Sequence, residues 1–123
     1  MELNNITRSV IGSAINVHKE LGPGLLEKVY EECLAEELME TNLNFRTQLG
    51  LPVTYKNKKL NLGYRADFVV EDKVIIEIKS IESIHPVYEA QILTYMKLSK
   101  CKIGLLMNFN VNKMTNGIKR FIL

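Results

Sequence analysis

The segment "KVIIEIKS", residues 73–80, limits what this chain can fold into more than any other stretch. Val74, Ile75, Ile76 and Ile78 place apolar side chains on both sides of it, the pattern of a strand covered on both faces. Such a strand belongs inside a sheet with further structure packed above and below. Yet it also holds Glu77 and Lys79. Alternation puts Ile75, Glu77 and Lys79 on one face and Val74, Ile76 and Ile78 on the other. A carboxylate and an ammonium on so apolar a strand need a physical reason.

The flanking segments supply the rest of the fold. Ile6, Val10, Ala14, Val17 and Leu21 recur at helical spacing and predict a first helix over about 5–21. "LGPG" ends it, with Gly22 suited to the position after the last turn. A second helix is expected over about 25–41, with Leu26, Val29, Cys33 and Leu38 as its apolar side and Glu31, Glu32, Glu36, Glu37 and Glu40 mostly facing water. From Asn44 the period changes. "FRTQLGLPVTY" reads as an extended segment with a bulge or edge at Gly50 and Pro52. "KNKK" reads as a turn, "LNLGYRADFVV" as a returning strand, and "EDK" as a tight turn into 73–80. Pro86 suits the first turn of a helix running to about Ser99, expected to bury Val87, Ala90, Ile92 or Leu93, and Met96. "KIGLLMNF" is a further buried strand and "GIKRFIL" a last one. Helix, helix, three strands, helix, strand, strand describes a mixed α/β or α+β domain. A single domain, 1–123, accounts for the whole chain, because no linker, repeat or low-complexity tract divides it.

Composition excludes some classes. With 46% hydrophobic residues and no run near the ~18 apolar residues of a membrane span, a globular protein without a membrane segment is expected. The stretch "MELNNITRSV" lacks the basic-then-apolar layout of a signal peptide, so none is expected, and the two cysteines lack a metal-ligand spacing. Cys33 and Cys101 are expected as buried free thiols of a cytoplasmic protein. Charge is unevenly divided. Residues 1–42 hold three basic residues against eight glutamates, a net of −5, and residues 43–123 hold 13 against six acidic ones, a net of +7. The basic half suits a polyanion, or is a solvated surface.

Chemistry concentrates in three places. Asp67 lies one strand before Glu77, and the short "EDK" turn makes the two strands antiparallel neighbours. Two carboxylates at one point repel unless a cation lies between them, and such oxygens suit Mg²⁺ or Mn²⁺. Lys79 on the same face can hold a water or steady charge developing on a phosphate. The alternative is a buried carboxylate–lysine pair with no catalytic task. Glu27 and Tyr30 form the second set, on a stripe with Leu34 and Leu38; a first-turn glutamate favoured by the helix dipole is the simpler explanation for Glu27. Gln91 and Tyr95, spaced i and i+4, form the third. They suit phosphate binding or the orienting of a carboxylate, or else lie at the wet margin of the core. His18 and His85 are isolated and expected at the surface. No phosphate-cradling glycine loop and no nucleophile–histidine motif is found.

Taken together, "GLLEKVY", "YRADFVVEDKVIIEIKS", "EAQILTYMK", "GLLMNFNV" and "GIKRFIL" resemble the GxxExxY protein family, a branch of the PD-(D/E)XK nuclease superfamily with a restriction-endonuclease-like fold. The resemblance implies an αβββαβ core after an extra N-terminal helix. It carries the superfamily's metal-binding residues onto Asp67 and Glu77 and its lysine onto Lys79. The Ile78 carbonyl is a further implied ligand, and Glu27 corresponds to the acidic residue supplied by the first core helix. Gln91 and Tyr95 match a QxxxY motif, with Tyr30 grouped among the substrate-binding residues. The proline that sometimes precedes the aspartate is Ala66 here, and Tyr88 stands where histidine is common. The expectation is a Mg²⁺- or Mn²⁺-dependent nuclease acting on DNA or RNA, working as a homodimer or within a larger complex. The alternative is a non-catalytic module that keeps the fold and binds nucleic acid or a protein.

Overall fold

The computed structural model describes residues 2–123. Its centre is a five-stranded mixed sheet in the order β1 (Phe45–Gly50), β4 (Arg65–Val70), β5 (Val74–Lys79), β6 (Ile103–Asn108), β7 (Ile118–Ile122). Only β5 and β6 run parallel, joined through α3 (Pro86–Ser99); the other neighbours are antiparallel. Helices α1 (Leu3–Leu21) and α2 (Glu27–Met39) cover one face and α3 the other. The strand 73–80 is thus central and covered on both sides, as its apolar run requires. Val74, Ile76 and Ile78 pack beneath α1 and α2, while Ile75 packs beneath α3. The expected αβββαβ core is α2, β1, β4, β5, α3, β6, with α1 before it and β7 after it.

The extended region divides differently from expectation. Instead of one strand on each side of "KNKK", the chain leaves the sheet after Gly50 and makes a separate hairpin, β2 (Val53–Tyr55) and β3 (Lys58–Leu60). It re-enters at Arg65. Pro52 helps to explain the exit, since it has no N–H for a ladder. Of the bulge or edge expected at Gly50 and Pro52, the edge is found, since β1 is the outermost strand, while the backbone irregularity falls at Gln48, whose φ is +50°.

Two helix faces are also corrected. On α2 the buried stripe is Tyr30, Leu34 and Leu38; Leu26 is 76% exposed, Val29 is exposed and Cys33 half-buried. Tyr30 sets this phase by stacking on Phe109, ring centres 4.6 Å apart and planes 12° apart. On α3, Ile92, Tyr95 and Met96 are buried, whereas Val87 and Ala90 face outward. His18 is likewise not at the surface: it is buried and its Nε2 lies 2.7 Å from the Val111 carbonyl. No helix among the described residues is long and apolar enough to cross a membrane.

Candidate active site

Strand β4 begins at Arg65 and antiparallel β5 ends at Lys79, so both of these ends lie at the same end of the sheet. There the ladder between them stops at Phe68–Ile76. Beyond it a side chain replaces the backbone, and the Ile78 N–H donates to Asp67 Oδ2 at 2.8 Å. The face alternation slips at the same place. Phe68 packs beneath α1 and α2, yet Ala66, two residues earlier, packs beneath α3 together with its partner Leu49. The residues between these pairs are Asp67 and Gln48, and Gln48 holds the left-handed φ that lets the strand turn over. A local irregularity of this kind re-aims a side chain out of the pleat.

Gln48 also holds Asp67 directly. Its side-chain Nε2 donates to Asp67 Oδ1 at 3.2 Å and to Glu31 Oε1 at 2.5 Å, using both of its hydrogens. Glu31 was expected to face water; it is half-buried and tied into the site because it lies one turn after Glu27 on α2. Neither Gln48 nor Glu31 stood out in the sequence. The i, i+4 spacing from Glu27 was the available signal for Glu31. For Gln48 there was only a polar residue one strand away from Asp67.

Glu77 lies on the α3 side of β5 and is 6% exposed. Its Oε1 has no hydrogen-bond partner among the described residues. Burial, then the Asp67 carboxylate beside it, push its pKa up to about 10, while the Lys79 charge pulls the other way. Tyr95, hydrogen-bonded by Gln91 at 3.0 Å, borders the same region. Burial and the neighbouring Glu77 carboxylate raise the proton affinity of its hydroxyl. The Lys79 ammonium projects over the Tyr88 ring on α3, 4.5 Å from its centre.

The "GLLEKVY" stretch builds the wall facing β5. Gly24 has a φ of +95°, which favours glycine. The Tyr30 hydroxyl donates to the Gly22 carbonyl at 2.6 Å and accepts from the Leu25 N–H at 3.1 Å, fastening the loop shut. Tyr30 is therefore corrected from a substrate-binding residue to a buried clamp, since at 0% exposure it cannot reach a substrate. The clamped loop docks on the end of β5. Ser80 Oγ donates to the Leu25 carbonyl, and the Ser80 N–H donates to Glu27 Oε2 at 3.3 Å. From the other side Asn108 pairs both backbone groups of Ile81, at 3.1 and 3.0 Å, and the Phe109 N–H donates to the Lys79 carbonyl at 2.9 Å. Asn108, also missed in the sequence, thus fixes the turn after Lys79.

Asp67, Glu77, Lys79, Gln91 and Tyr95 are brought together, with Glu27 anchored one residue beyond Lys79. No three Asp, Glu, His or Cys side chains converge closely enough to hold a metal among the described residues, so Glu27 does not join Asp67 and Glu77 in one cluster. Two carboxylates do face a common point, and one of them has an unpartnered buried oxygen. That donor set fits a hard divalent cation, which would offset both the burial and the Asp67 repulsion that raise the Glu77 pKa.

Comparison with protein families matches residues 4–121 to the PD-(D/E)XK nuclease superfamily. Searches of curated proteins and of solved structures found no match. The mixed sheet flanked by helices is consistent with the restriction-endonuclease-like fold of that superfamily, whose nucleases generally use divalent metal ions. With a match over nearly its whole length, the chain belongs to the PD-(D/E)XK nuclease superfamily.

Proposed function

We propose that this protein is a Mg²⁺- or Mn²⁺-dependent nuclease of the GxxExxY branch, hydrolysing phosphodiester bonds of DNA or RNA. The observation that supports it most is the orphaned Glu77 Oε1 beside the Asp67 carboxylate. Asp67, Glu77 and the Ile78 carbonyl would hold the cation, with Glu27, which accepts from the Ser80 N–H just beyond Lys79, reaching its water shell. When bound, the ion neutralises a phosphate oxygen and lowers the pKa of a water. The chain's own residues do the rest. Gln48 and the Ile78 N–H fix the Asp67 carboxylate, so it cannot swing away from Glu77. Lys79 offers its ammonium to charge that develops on the phosphate in the transition state. Gln91 and Tyr95 present an amide and a hydroxyl at the α3 border for the substrate backbone.

The test is incubation of labelled DNA and RNA with purified protein in Mg²⁺, Mn²⁺ and chelator. Cleavage in metal that stops with chelator is expected. Binding without cleavage under every condition would favour a non-catalytic nucleic-acid-binding module on the same fold.

A further inference from the structure

The β2–β3 hairpin is not part of the central sheet, and its position calls for an explanation. It springs from Gly50 and returns at Arg65, partners across β1 and β4 at the sheet end where Asp67 and Lys79 lie. Between Leu51 and Arg65 the chain has Lys56, Lys58, Lys59 and Arg65 and no acidic residue. None of these four forms an ion pair among the described residues. Lys56 and Asn57 both have positive φ, at 47° and 66°, which makes a tight two-residue turn and sets Lys56 at the apex.

Aromatic rings interleave with these charges. Tyr55 is 62% exposed and Tyr64 also faces solvent. Tyr55 and Lys58 are cross-strand partners and share one face of the hairpin. Tyr64 leads back to the site, because its ring lies 5.9 Å from that of Tyr95. The segments that lead into and out of the hairpin line an open cleft of about 340 Å³, with Leu51, Leu62, Tyr64 and Arg65 in its wall.

We infer that this hairpin is a substrate arm that grips an unpaired stretch of a polynucleotide and feeds it towards Asp67 and Glu77. The inference rests on the nuclease reading and narrows it to single-stranded substrate or single-stranded ends. Exposed rings can stack only on bases that are not already stacked in a duplex, and nearby lysines follow the phosphates. A duplex would meet the same charges but leave the rings unused.

Fluorescence anisotropy with labelled oligo(dT), oligo(U) and a blunt DNA duplex, in EDTA to prevent cleavage, tests it. The full chain is compared with Tyr55→Ala and with the triple change of Lys56, Lys58 and Lys59 to Ala. All four positions are exposed, and melting curves check that the variants fold. The wild type should bind single strands more tightly than duplex. Tyr55→Ala should weaken single-strand binding about 5- to 150-fold and leave duplex binding unchanged. The triple variant should lower the slope of log affinity against log salt by about 2 on single strands. Wild-type binding with unaffected variants, or an equal loss on duplex from Tyr55→Ala, overturns the arm and leaves the nuclease reading standing. No wild-type binding to any probe overturns the arm, and absence of cleavage as well removes the nuclease reading with it.

Discussion

The Lys79 ammonium lies 4.5 Å from the centre of the Tyr88 ring, and it forms no ion pair with Glu77 among the described residues. The two side chains share a face of β5 but do not neutralise each other at contact. This weighs against a purely structural carboxylate–lysine pair, in which the buried charges would satisfy one another. It leaves Glu77 with an unpartnered oxygen and Lys79 poised on an aromatic face.

In the proposed reaction that contact would make Tyr88 a positioning residue for Lys79. A cation over an aromatic ring gains roughly 0.5–2 kcal/mol, so losing the ring should reduce single-turnover cleavage about 2- to 30-fold. Tyr88→Ala should show that loss in rate with substrate affinity nearly unchanged. Tyr88→Phe keeps the ring and should restore the rate. Equal losses from both variants would point to the hydroxyl instead.

Lys79 itself is expected to act on the transition state. Lys79→Ala should lower kcat by about 10²–10³-fold while KM changes little, because the lost charge matters where new charge develops. Steady-state kinetics on labelled substrate separates the two. A rise in KM at constant kcat would reassign Lys79 to substrate binding.

Glu77 predicts the pH dependence of the metal-free protein. Its folded pKa of about 10 lies above the ordinary value of 4.5, so folding favours the protonated form. The resulting stability is fully present below about 4.5 and is lost progressively as pH rises towards 10. In chelator, the wild-type Tm should therefore fall across this window, whereas Glu77→Gln should be flatter and at pH 8 as stable or more so. A Glu77→Gln protein that melts lower at pH 8 would mean that attraction to Lys79 outweighs the cost of burial together with the repulsion from Asp67.

Much of the fold was legible because its centre is written locally. A short, Val- and Ile-rich run apolar on both faces reads as a covered strand, and the turn after Val70 forces the antiparallel return. Where competing patterns overlapped, the sequence did not decide. Leu26, Val29 and Cys33 form one apolar stripe on α2 and Tyr30, Leu34 and Leu38 another. The choice is made by the Phe109 ring, which is far along the chain and invisible to periodicity. The site was legible to the extent that charges stood out on buried strands, as Asp67, Glu77 and Lys79 do. Gln48 was hidden because its role depends on a positive φ, which a non-glycine residue does not advertise. Tyr30 was misread because a tyrosine near a glutamate looks the same whether its hydroxyl meets substrate or closes a loop.

The most direct measurement is a calorimetric titration of Mn²⁺ into the wild-type protein and Glu77→Ala. If Asp67 and Glu77 hold the cation, the wild type binds one ion per chain, more tightly as pH rises and the Glu77 proton is displaced. The variant should lose that heat. Equal heats from the two proteins would contradict the account, because the orphaned oxygen at the centre of the site would then have no part in holding the metal.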